Sequence, residues 1–375
     1  MNGSLSRRRL LGTGISGTLA GFVGSGPLAF AQTHGRPRPA KPFVLGHRGA
    51  CALRPEHTLG SYAKAIADGA DFVEPDLVAT KDGVLIARHE NNIAETTDVA
   101  MRAEFAARHI TKTIDGHAVT GWFTEDFTLA EIKTLRAKER LGAMRPESQS
   151  YDGAFQVVTF DEIADFVAAE SAARGRIVGL IPEIKHSTYF AAQGLPMEDR
   201  FLDRLHAHAY LAEAPVIVQS FEVSNLKALR PRIADRPNVQ LMQLIGDSKE
   251  VPADFAAQRI ARNWGSLLNP AGLAEMSGYA DWISPYYRML ISIGADGKLG
   301  APTGLIDAAH AAGLLVGTWT FRPENHFLAS DFRDGAGDSA RNPLGSIAEM
   351  RRYIAAGVDA FFTDDPAIGR HAVDG

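Results

Sequence analysis

Three acidic side chains lie near the ends of apolar segments that are typical of buried strands. Glu74 and Asp76 stand two residues apart in the segment Phe72–Leu77, so on a strand they point to the same face. Glu183 lies near the end of a separate segment, Ile177–Ile184. Buried carboxylates repel one another and lose hydration, which is costly without a counter-charge. With no cysteine nearby, three carboxylates favour a hard divalent cation such as Ca²⁺ or Mg²⁺ over zinc, which usually takes histidine or cysteine.

Basic and imidazole side chains occur at similar positions. Lys185 follows Glu183 by two residues, and that pair taken alone would be interpreted as an ordinary ion pair at a strand end. Arg48 follows His47, and its guanidinium offers a fork of donors for phosphate oxygens. His47 and His89 end neighbouring predicted strands and are candidates for a general acid and base. A hard cation, an arginine, a lysine and two histidines together suit phosphoryl chemistry.

Short apolar segments alternate with amphipathic helical patterns over residues 42–370. Strands with intervening helices predict a parallel α/β sheet with helices outside it, and roughly eight such units favour a closed (β/α)₈ TIM barrel. A doubly wound nucleotide-binding sheet is disfavoured because no Gly-x-Gly-x-x-Gly follows the first strand. The predicted strands are Phe43–Leu45, Phe72–Leu77, Val84–Ala87, Ile177–Ile184, Val216–Gln219, Val239–Leu244, Trp282–Ser284, Leu314–Trp319 and Ala360–Phe362, and the clearest predicted helices are Leu59–Ala67, Leu305–Ala312 and Ile347–Ala356.

One connection is longer than a barrel needs. Residues 91–156 follow the strand predicted at Val84–Ala87 and precede a helix that opens at the capping box of Thr159 and Glu162. We predict that this segment is a small insertion at the rim that carries the active site. It either shapes substrate access or only covers barrel surface, and the sequence leaves both roles open.

The first 31 residues differ from the rest of the chain. Ser6-Arg7-Arg8-Arg9-Leu10-Leu11 resembles a twin-arginine export signal, and Ala29-Phe30-Ala31 fits a small-x-small cleavage pattern. An uncleaved anchor or a disordered basic tail is the alternative. We expect residues 1–31 to be a signal peptide read by the twin-arginine export machinery and residues 32–41 to be a linker. The mature protein is expected in the periplasm, with the cell wall or the medium as alternatives.

The bulk composition excludes several classes of partner. The chain has 375 residues, of which 45% are hydrophobic and 22% charged, as in ordinary globular proteins. The net charge of −5 and the pI near 6.2 give no basic footprint for nucleic acid. They equally give no support for stable association with an anionic membrane. Because Cys51 is the only cysteine, no intrachain disulfide can form.

An ordered series of short motifs resembles that of the glycerophosphodiester phosphodiesterases. Each motif is weak alone, whereas their order and spacing over residues 43–370 are specific. The stretch 69–82 looks most like the exported bacterial branch of that family. The series is His47-Arg48-Gly49, Pro55-Glu56-His57-Thr58, Glu74-x-Asp76, His89, Glu183-x-Lys185 and Thr363-Asp364-Asp365-Pro366.

The resemblance implies a distorted TIM barrel with a small insertion, and it implies roles for the residues singled out above. Glu90 follows His89 where many relatives have Asp, a mild departure that leaves those roles intact. Gln219 and Trp319, at later strand ends, are candidate substrate contacts or, equally, packing residues. The implied roles are metal ligation by Glu74, Asp76 and Glu183, acid–base catalysis by His47 and His89, and phosphate binding by Arg48 and Lys185.

The implied activity is metal-dependent hydrolysis of glycerophosphodiesters, the deacylated phospholipids, to sn-glycerol 3-phosphate and an alcohol. Ca²⁺ is the expected cation because exported members commonly use it, with Mg²⁺ as the alternative. Two other functions stay open. One is a related phosphodiesterase acting on glycerol-phosphate teichoic acid or on a lysophospholipid. The other is a non-catalytic solute-binding barrel, although a binder needs no pair of proton-transferring histidines.

Overall fold

The computed structural model describes residues 37–375. The expected signal peptide, residues 1–31, and the first five residues of the expected linker lie outside the described residues. Among the described helices, none combines the length and the apolar content that crossing a membrane requires.

Eleven of the strands in residues 37–375 form one sheet, and the other four form two separate hairpins, β5–β6 and β12–β13. The strands are β1 Phe43–Gly46, β2 Phe72–Val73, β3 Asp76–Ala79, β4 Leu85–Ala87, β5 Ile110–Ile114, β6 His117–Gly121, β7 Gly179–Leu180, β8 Glu183–Ile184, β9 Val216–Ser220, β10 Val239–Ile245, β11 Trp282–Pro285, β12 Ile291–Ile293, β13 Leu299–Pro302, β14 Leu315–Val316 and β15 Ala360–Thr363.

The helices start at local signals that the sequence carries. Thr159 and Glu162 form the predicted capping box at the start of α4, and Gly175 ends that helix at φ 62°. α14 begins four residues before the prediction because Asn342 caps it and Pro343 takes its first position. The helices are α1 Leu59–Ala67, α2 Leu129–Ile132, α3 Pro146–Gln149, α4 Phe160–Arg174, α5 Ser187–Ala192, α6 Met197–Ala207, α7 Ala209–Glu213, α8 Val223–Leu229, α9 Ala253–Ala257, α10 Trp264–Leu267, α11 Pro270–Ser277, α12 Tyr287–Leu290, α13 Leu305–Ala311, α14 Pro343–Ala356 and α15 Pro366–Asp374.

The large sheet curls into a TIM-barrel-like α/β fold, as predicted. Its hydrogen-bonded order is β14-β11-β10-β9-β7-β2-β1-β15, with parallel pairing along that path. β14 and β15 do not pair as a continuous ladder. Instead, two separate bonds join the chain around β14 to β15 and its flank: Asp359 N donates to Val316 O at 2.8 Å, and Phe362 N donates to Thr318 O at 2.9 Å.

Two predicted strands are each divided in the structure. β2 and β3 replace the continuous strand Phe72–Leu77, and β7 and β8 replace Ile177–Ile184. Each break contains a proline, Pro75 or Pro182, which has no N–H to donate to a ladder. The breaks have the same length, so the neighbouring strands resume in register with Asp76 opposite Glu183.

The strand predicted at Val84–Ala87 was wrongly assigned to the parallel set. It is β4, which pairs antiparallel with β3. Only a short turn that includes Gly83 at φ 80° joins the two strands, and a parallel connection needs a crossover of a dozen residues or more. The prediction Leu314–Trp319 was too long, since β14 ends at Val316.

The interior of the barrel is apolar. Side chains from alternate positions of the strands fill it, while their neighbours pack against the surrounding helices, as a packed barrel core requires. The interior set is Leu45, Phe72, Ile181, Ile217, Met242, Leu244, Trp282, Leu315, Ala360 and Phe362. Polar side chains therefore collect where the strands end.

Candidate active site

One pocket of about 490 Å³ opens at the carboxyl ends of the barrel strands. The structure brings every site residue predicted from the sequence to its wall. Those residues are His47, Arg48, Glu74, Asp76, His89, Glu183, Lys185, Gln219 and Trp319.

Glu74, Asp76 and Glu183 form a carboxylate trio at the base of this site. One oxygen from each lies within 4.8 Å of the other two, and all three side chains are buried. Within the described part of the chain, Asp76 Oδ1 is buried and has no hydrogen-bond partner. A converging set of oxygen donors with one atom left unsatisfied fits a hard divalent cation.

Burial disfavours the charged form of each carboxylate in the trio, but the three pKa values do not shift in the same direction. Burial, and then the charge of Asp76, raises the pKa of Glu74 well above its usual range. Burial raises the pKa of Glu183 to about 7, against the opposing charge of Lys185. Burial would also raise the pKa of Asp76, but the contact with His57 and the charges of Lys185 and Arg48 outweigh it and hold that pKa well below its usual value. A bound cation would take the place of the protons that burial favours on the two glutamates.

Two donors fix the carboxylate of Glu74. The Gln219 Nε2 amide donates to Glu74 Oε1 at 2.7 Å, and the Arg48 backbone N–H donates to Glu74 Oε2 at 3.0 Å. Gln219 also donates to Ile181 O at 3.2 Å. The amide of Gln219 therefore holds Glu74 in place. The role of Gln219 as a substrate contact stays a prediction.

His57 contacts the trio, and the sequence analysis gave it no role. Its Nε2 lies 3.1 Å from Asp76 Oδ2, and its Nδ1 lies 2.9 Å from the Tyr62 hydroxyl. Because the ring is fully buried and held between these two partners, it orients one oxygen of Asp76. The only sequence signal for it was its place in the motif Pro55-Glu56-His57-Thr58.

His47 faces the trio through one nitrogen and is held through the other. Nδ1 lies 2.5 Å from Asp364 Oδ1, and Nε2 lies 3.9 Å from Glu74 Oε2. Burial would raise the pKa of Asp364, but the charge of Arg145 and the contact with His47 hold that pKa well below its usual range. Burial, and then the charge of Arg48, lowers the pKa of His47 to about 4. Because an ionised Asp364 can only accept, Nδ1 carries the hydrogen and Nε2 is free to accept a proton.

Asp364→Asn is expected to lower kcat by about 10²-fold with little change in KM, because the amide no longer fixes the tautomer of His47. Steady-state kinetics with a melting curve would measure this effect. Asp365→Asn is the matched control, since asparagine caps α15 equally well, and the loss of the Asp365–Arg341 ion pair would appear in the melting curve rather than in kcat. An unchanged kcat in a folded Asp364→Asn protein would contradict the orienting role.

His89, the second of the two predicted catalytic histidines, lies just after β4. Its Nδ1 is 2.9 Å from Glu90 Oε1, and its side chain is 26% exposed. Burial lowers the pKa of His89, and the positive charges of Arg48 and Lys185 add to this effect. The contact with Glu90 opposes this shift and favours a proton on the ring, and the partly exposed side chain is within reach of solvent and substrate.

Arg48 and Lys185 supply positive charge to the pocket. Arg48 Nη1 donates to both carboxylate oxygens of Glu56, at 3.0 and 3.2 Å. In the described residues its Nε is buried without a hydrogen-bond partner, 3.6 Å from Asp76 Oδ2. Lys185 Nζ lies 2.9 Å from Glu183 Oε2. Both cations thus adjoin the trio, where an anionic group would meet them.

An aromatic wall borders the pocket beside Lys185. The Trp319 indole N–H donates to Ser284 O at 2.9 Å, and its ring meets Phe221 edge to face at 5.7 Å. Lys185 Nζ lies 5.8 Å from the centroid of the Phe221 ring. The indole N–H of Trp319 is therefore already used, and its predicted contact with substrate would be made by its ring.

The segment 91–156 reaches the site at several points that its sequence did not reveal. Asp115 and Arg140 line the pocket, and Arg140 Nε lies 2.9 Å from Glu56 Oε2. Arg145 is buried and bonds both Asp364 and, at 2.8 Å, Glu324. These contacts favour a role in shaping the site over mere coverage of the barrel.

Comparisons with known proteins agree with this geometry. The model of the Glycerophosphoryl diester phosphodiesterase family matches residues 47–368. A glycerophosphodiester phosphodiesterase of Arabidopsis thaliana is 34% identical over 338 residues, which cover 87% of this chain and 84% of the relative. A glycerophosphodiester phosphodiesterase of Haemophilus influenzae is 30% identical over 264 residues, which cover 67% of this chain and 70% of the relative.

Solved structures share the fold. One from Silicibacter pomeroyi has a TM-score of 0.60 at 22% identity and covers 91% of this chain and 95% of its own. An Oleispira antarctica phosphodiesterase, in complex with the product sn-glycerol-3-phosphate, has a TM-score of 0.55 at 17% identity. The match covers 89% of this chain and 98% of that protein. At these identities the likeness supports the barrel architecture alone. The family match spans nearly all of the barrel, and two relatives agree with it over most of their length, so the chain belongs to the glycerophosphoryl diester phosphodiesterase family.

Proposed function

We propose that this protein hydrolyses glycerophosphodiesters to sn-glycerol 3-phosphate and an alcohol. The observation that carries the proposal is the convergence of three buried carboxylates within 4.8 Å, with His47 Nε2 3.9 Å from one of them. The family match and the names of the relatives support the substrate class.

Glu74, Asp76 and Glu183 would hold a divalent cation. The all-carboxylate donor set favours Ca²⁺, with Mg²⁺ as the alternative, because both prefer oxygen ligands. When bound, such an ion would spread the negative charge that develops on the phosphate oxygens.

The residues of the chain would carry the proton transfers and hold the substrate. Arg48 and Lys185 bind the phosphate. His47 Nε2 takes a proton from the nucleophile, which is either water or the neighbouring glycerol hydroxyl, the latter giving a cyclic phosphate. His89 protonates the alcohol oxygen as the bond from phosphorus to that oxygen breaks. The bond of His47 to Asp364 supports its assignment as the base, since it leaves Nε2 with a free lone pair.

Export is part of the proposal. The arginine motif at residues 7–9, the cleavage pattern at 29–31 and the resemblance of residues 69–82 to the exported bacterial branch support a periplasmic enzyme delivered by the twin-arginine machinery. Mass spectrometry of the protein from a periplasmic extract should give an amino terminus at Gln32. A full-length chain recovered only from the cytoplasm would contradict export.

The test of function is to identify the phosphorus-containing product. Protein beginning at Gln32, incubated with Ca²⁺ and glycerophosphocholine, should give sn-glycerol 3-phosphate and choline by phosphorus NMR. Phosphocholine as the product would show cleavage of the wrong bond. Parallel reactions with lysophosphatidylcholine and a glycerol-phosphate polymer would reveal whether either is the preferred substrate, and saturable binding without a product would identify a solute-binding barrel.

A further inference from the structure

His186 joins two carboxylates at the rim of the pocket. Its Nδ1 lies 2.6 Å from Asp115 Oδ2, and its Nε2 lies 3.0 Å from Glu90 Oε2. The side chain is only 13% exposed and lines the same pocket as the trio. A histidine with a carboxylate at each ring nitrogen must donate from both, so the ring is an imidazolium.

The two partners of His186 belong to different parts of the fold. Asp115 lies in the turn of the hairpin β5–β6, where Asp115 and Gly116 have φ of 48° and 85°, as a two-residue turn of type I′ requires. This hairpin is part of the segment 91–156. Glu90 follows β4 on the barrel, whereas His186 lies just after β8 at the N-cap position of α5, where its side chain makes no capping bond. His186 therefore connects the hairpin turn to the ends of β4 and β8, the two strands that pair with β3.

The connection continues to a proposed catalytic residue. Glu90 uses Oε2 for His186, and its other oxygen, Oε1, makes an ion-pair contact of 2.9 Å with His89 Nδ1 that lacks hydrogen-bond geometry. The four side chains thus form one chain of contacts from Asp115 through His186 and Glu90 to His89. The two oxygens of Glu90 thus face two different imidazoles.

We propose that His186 is a positioning residue that fastens the turn of the β5–β6 hairpin to the pocket rim and, through Glu90, sets the ring of His89. The second half of this inference rests on the proposed function, because it requires His89 to act in catalysis. The first half is a property of the folded protein and can be measured without substrate.

The test uses His186→Asn, because asparagine tolerates the left-handed backbone that His186 adopts at φ 47° but is too short to bridge both acids. We expect kcat on glycerophosphocholine to fall about 10- to 100-fold, as loss of an orienting partner does elsewhere, with an unchanged melting temperature. In a His89→Ala background the same substitution should have no further effect on kcat, since the residue through which it acts is gone. An equal fall in both backgrounds, or none in either, would overturn the positioning role.

Hydrogen exchange gives the second measurement. Backbone amides of β5 and β6 should exchange faster in His186→Asn than in the parent protein, while those of the β12–β13 hairpin should not change. His208→Asn is the matched control, because His208 bonds Asp165 outside the pocket, and it should alter neither kcat nor exchange. Unchanged exchange in β5–β6 would overturn the fastening role. If the parent protein hydrolyses no diester, the proposed function fails, and the exchange result alone still decides whether His186 holds the hairpin.

Discussion

His47→Ala and His89→Ala are each expected to lower turnover by about 10²–10⁴-fold, which is the usual contribution of a positioned acid or base. Neither histidine belongs to the carboxylate trio, so both variants should bind Ca²⁺ with parental affinity by calorimetry. His206→Ala, on the exposed face of α6, is the control and should keep full activity. Near-parental turnover in both pocket variants, with cation bound, would remove the acid–base mechanism.

The two histidines can be told apart by the leaving group. In a p-nitrophenyl ester of glycerol phosphate the leaving group is p-nitrophenolate, which departs without protonation. This substrate should therefore restore much of the activity of the variant that lacks the acid. We expect this recovery in His89→Ala and not in His47→Ala, because the contact of His47 Nδ1 with Asp364 favours the proposed role of His47 as the base. Recovery in His47→Ala alone would exchange the two roles.

Removing one member of the carboxylate trio is expected to abolish cation binding and to lower kcat by about 10³-fold or more, since metal stabilisation of a transition state contributes several kcal/mol. Asp76→Asn and Glu183→Gln preserve shape while removing charge. Excess chelator should inactivate the parent protein to the same extent, and added Ca²⁺ should restore it.

Glu222→Gln is the control for this experiment. Glu222 is another buried acid on the pocket wall, but its carboxylate accepts from the Thr188 backbone N–H at 3.0 Å and lies outside the trio. Its substitution should leave the affinity for Ca²⁺ unchanged. Full activity of the parent protein in excess chelator would contradict the metal requirement.

The site was predictable from the sequence because its residues end apolar segments of a parallel sheet. The carboxyl ends of such strands meet at one face, so short motifs far apart in the chain were expected together, and all nine named residues line one pocket. Their roles are still predictions. The contacts of His57 and Asp364 could not be derived, because they depend on which loop packs behind the pocket.

The fold was predictable in class and less so in detail. Apolar composition alone cannot show that a strand is interrupted, so the breaks at Pro75 and Pro182 were missed even though proline was their signal. The β5–β6 hairpin was missed because most of its residues are exposed and its strands lack a buried apolar face. The contacts of Arg140 and Arg145 with the site could not be derived either, because both residues lie in loops of the segment 91–156.

The breaks before β3 and β8 each have a fixed length, because Asp76 begins β3, Glu183 begins β8, and the two residues lie opposite each other. Deleting one residue from Glu74-Pro75 would turn every later side chain of β3 to the opposite side, taking Asp76 away from Glu183. A single deletion at Ile181-Pro182 would do the same to β8. Deletions at both breaks would turn both carboxylates away from the pocket and would also shift β8 against Gln219 of β9, so natural variation in this barrel should keep both spacings unchanged.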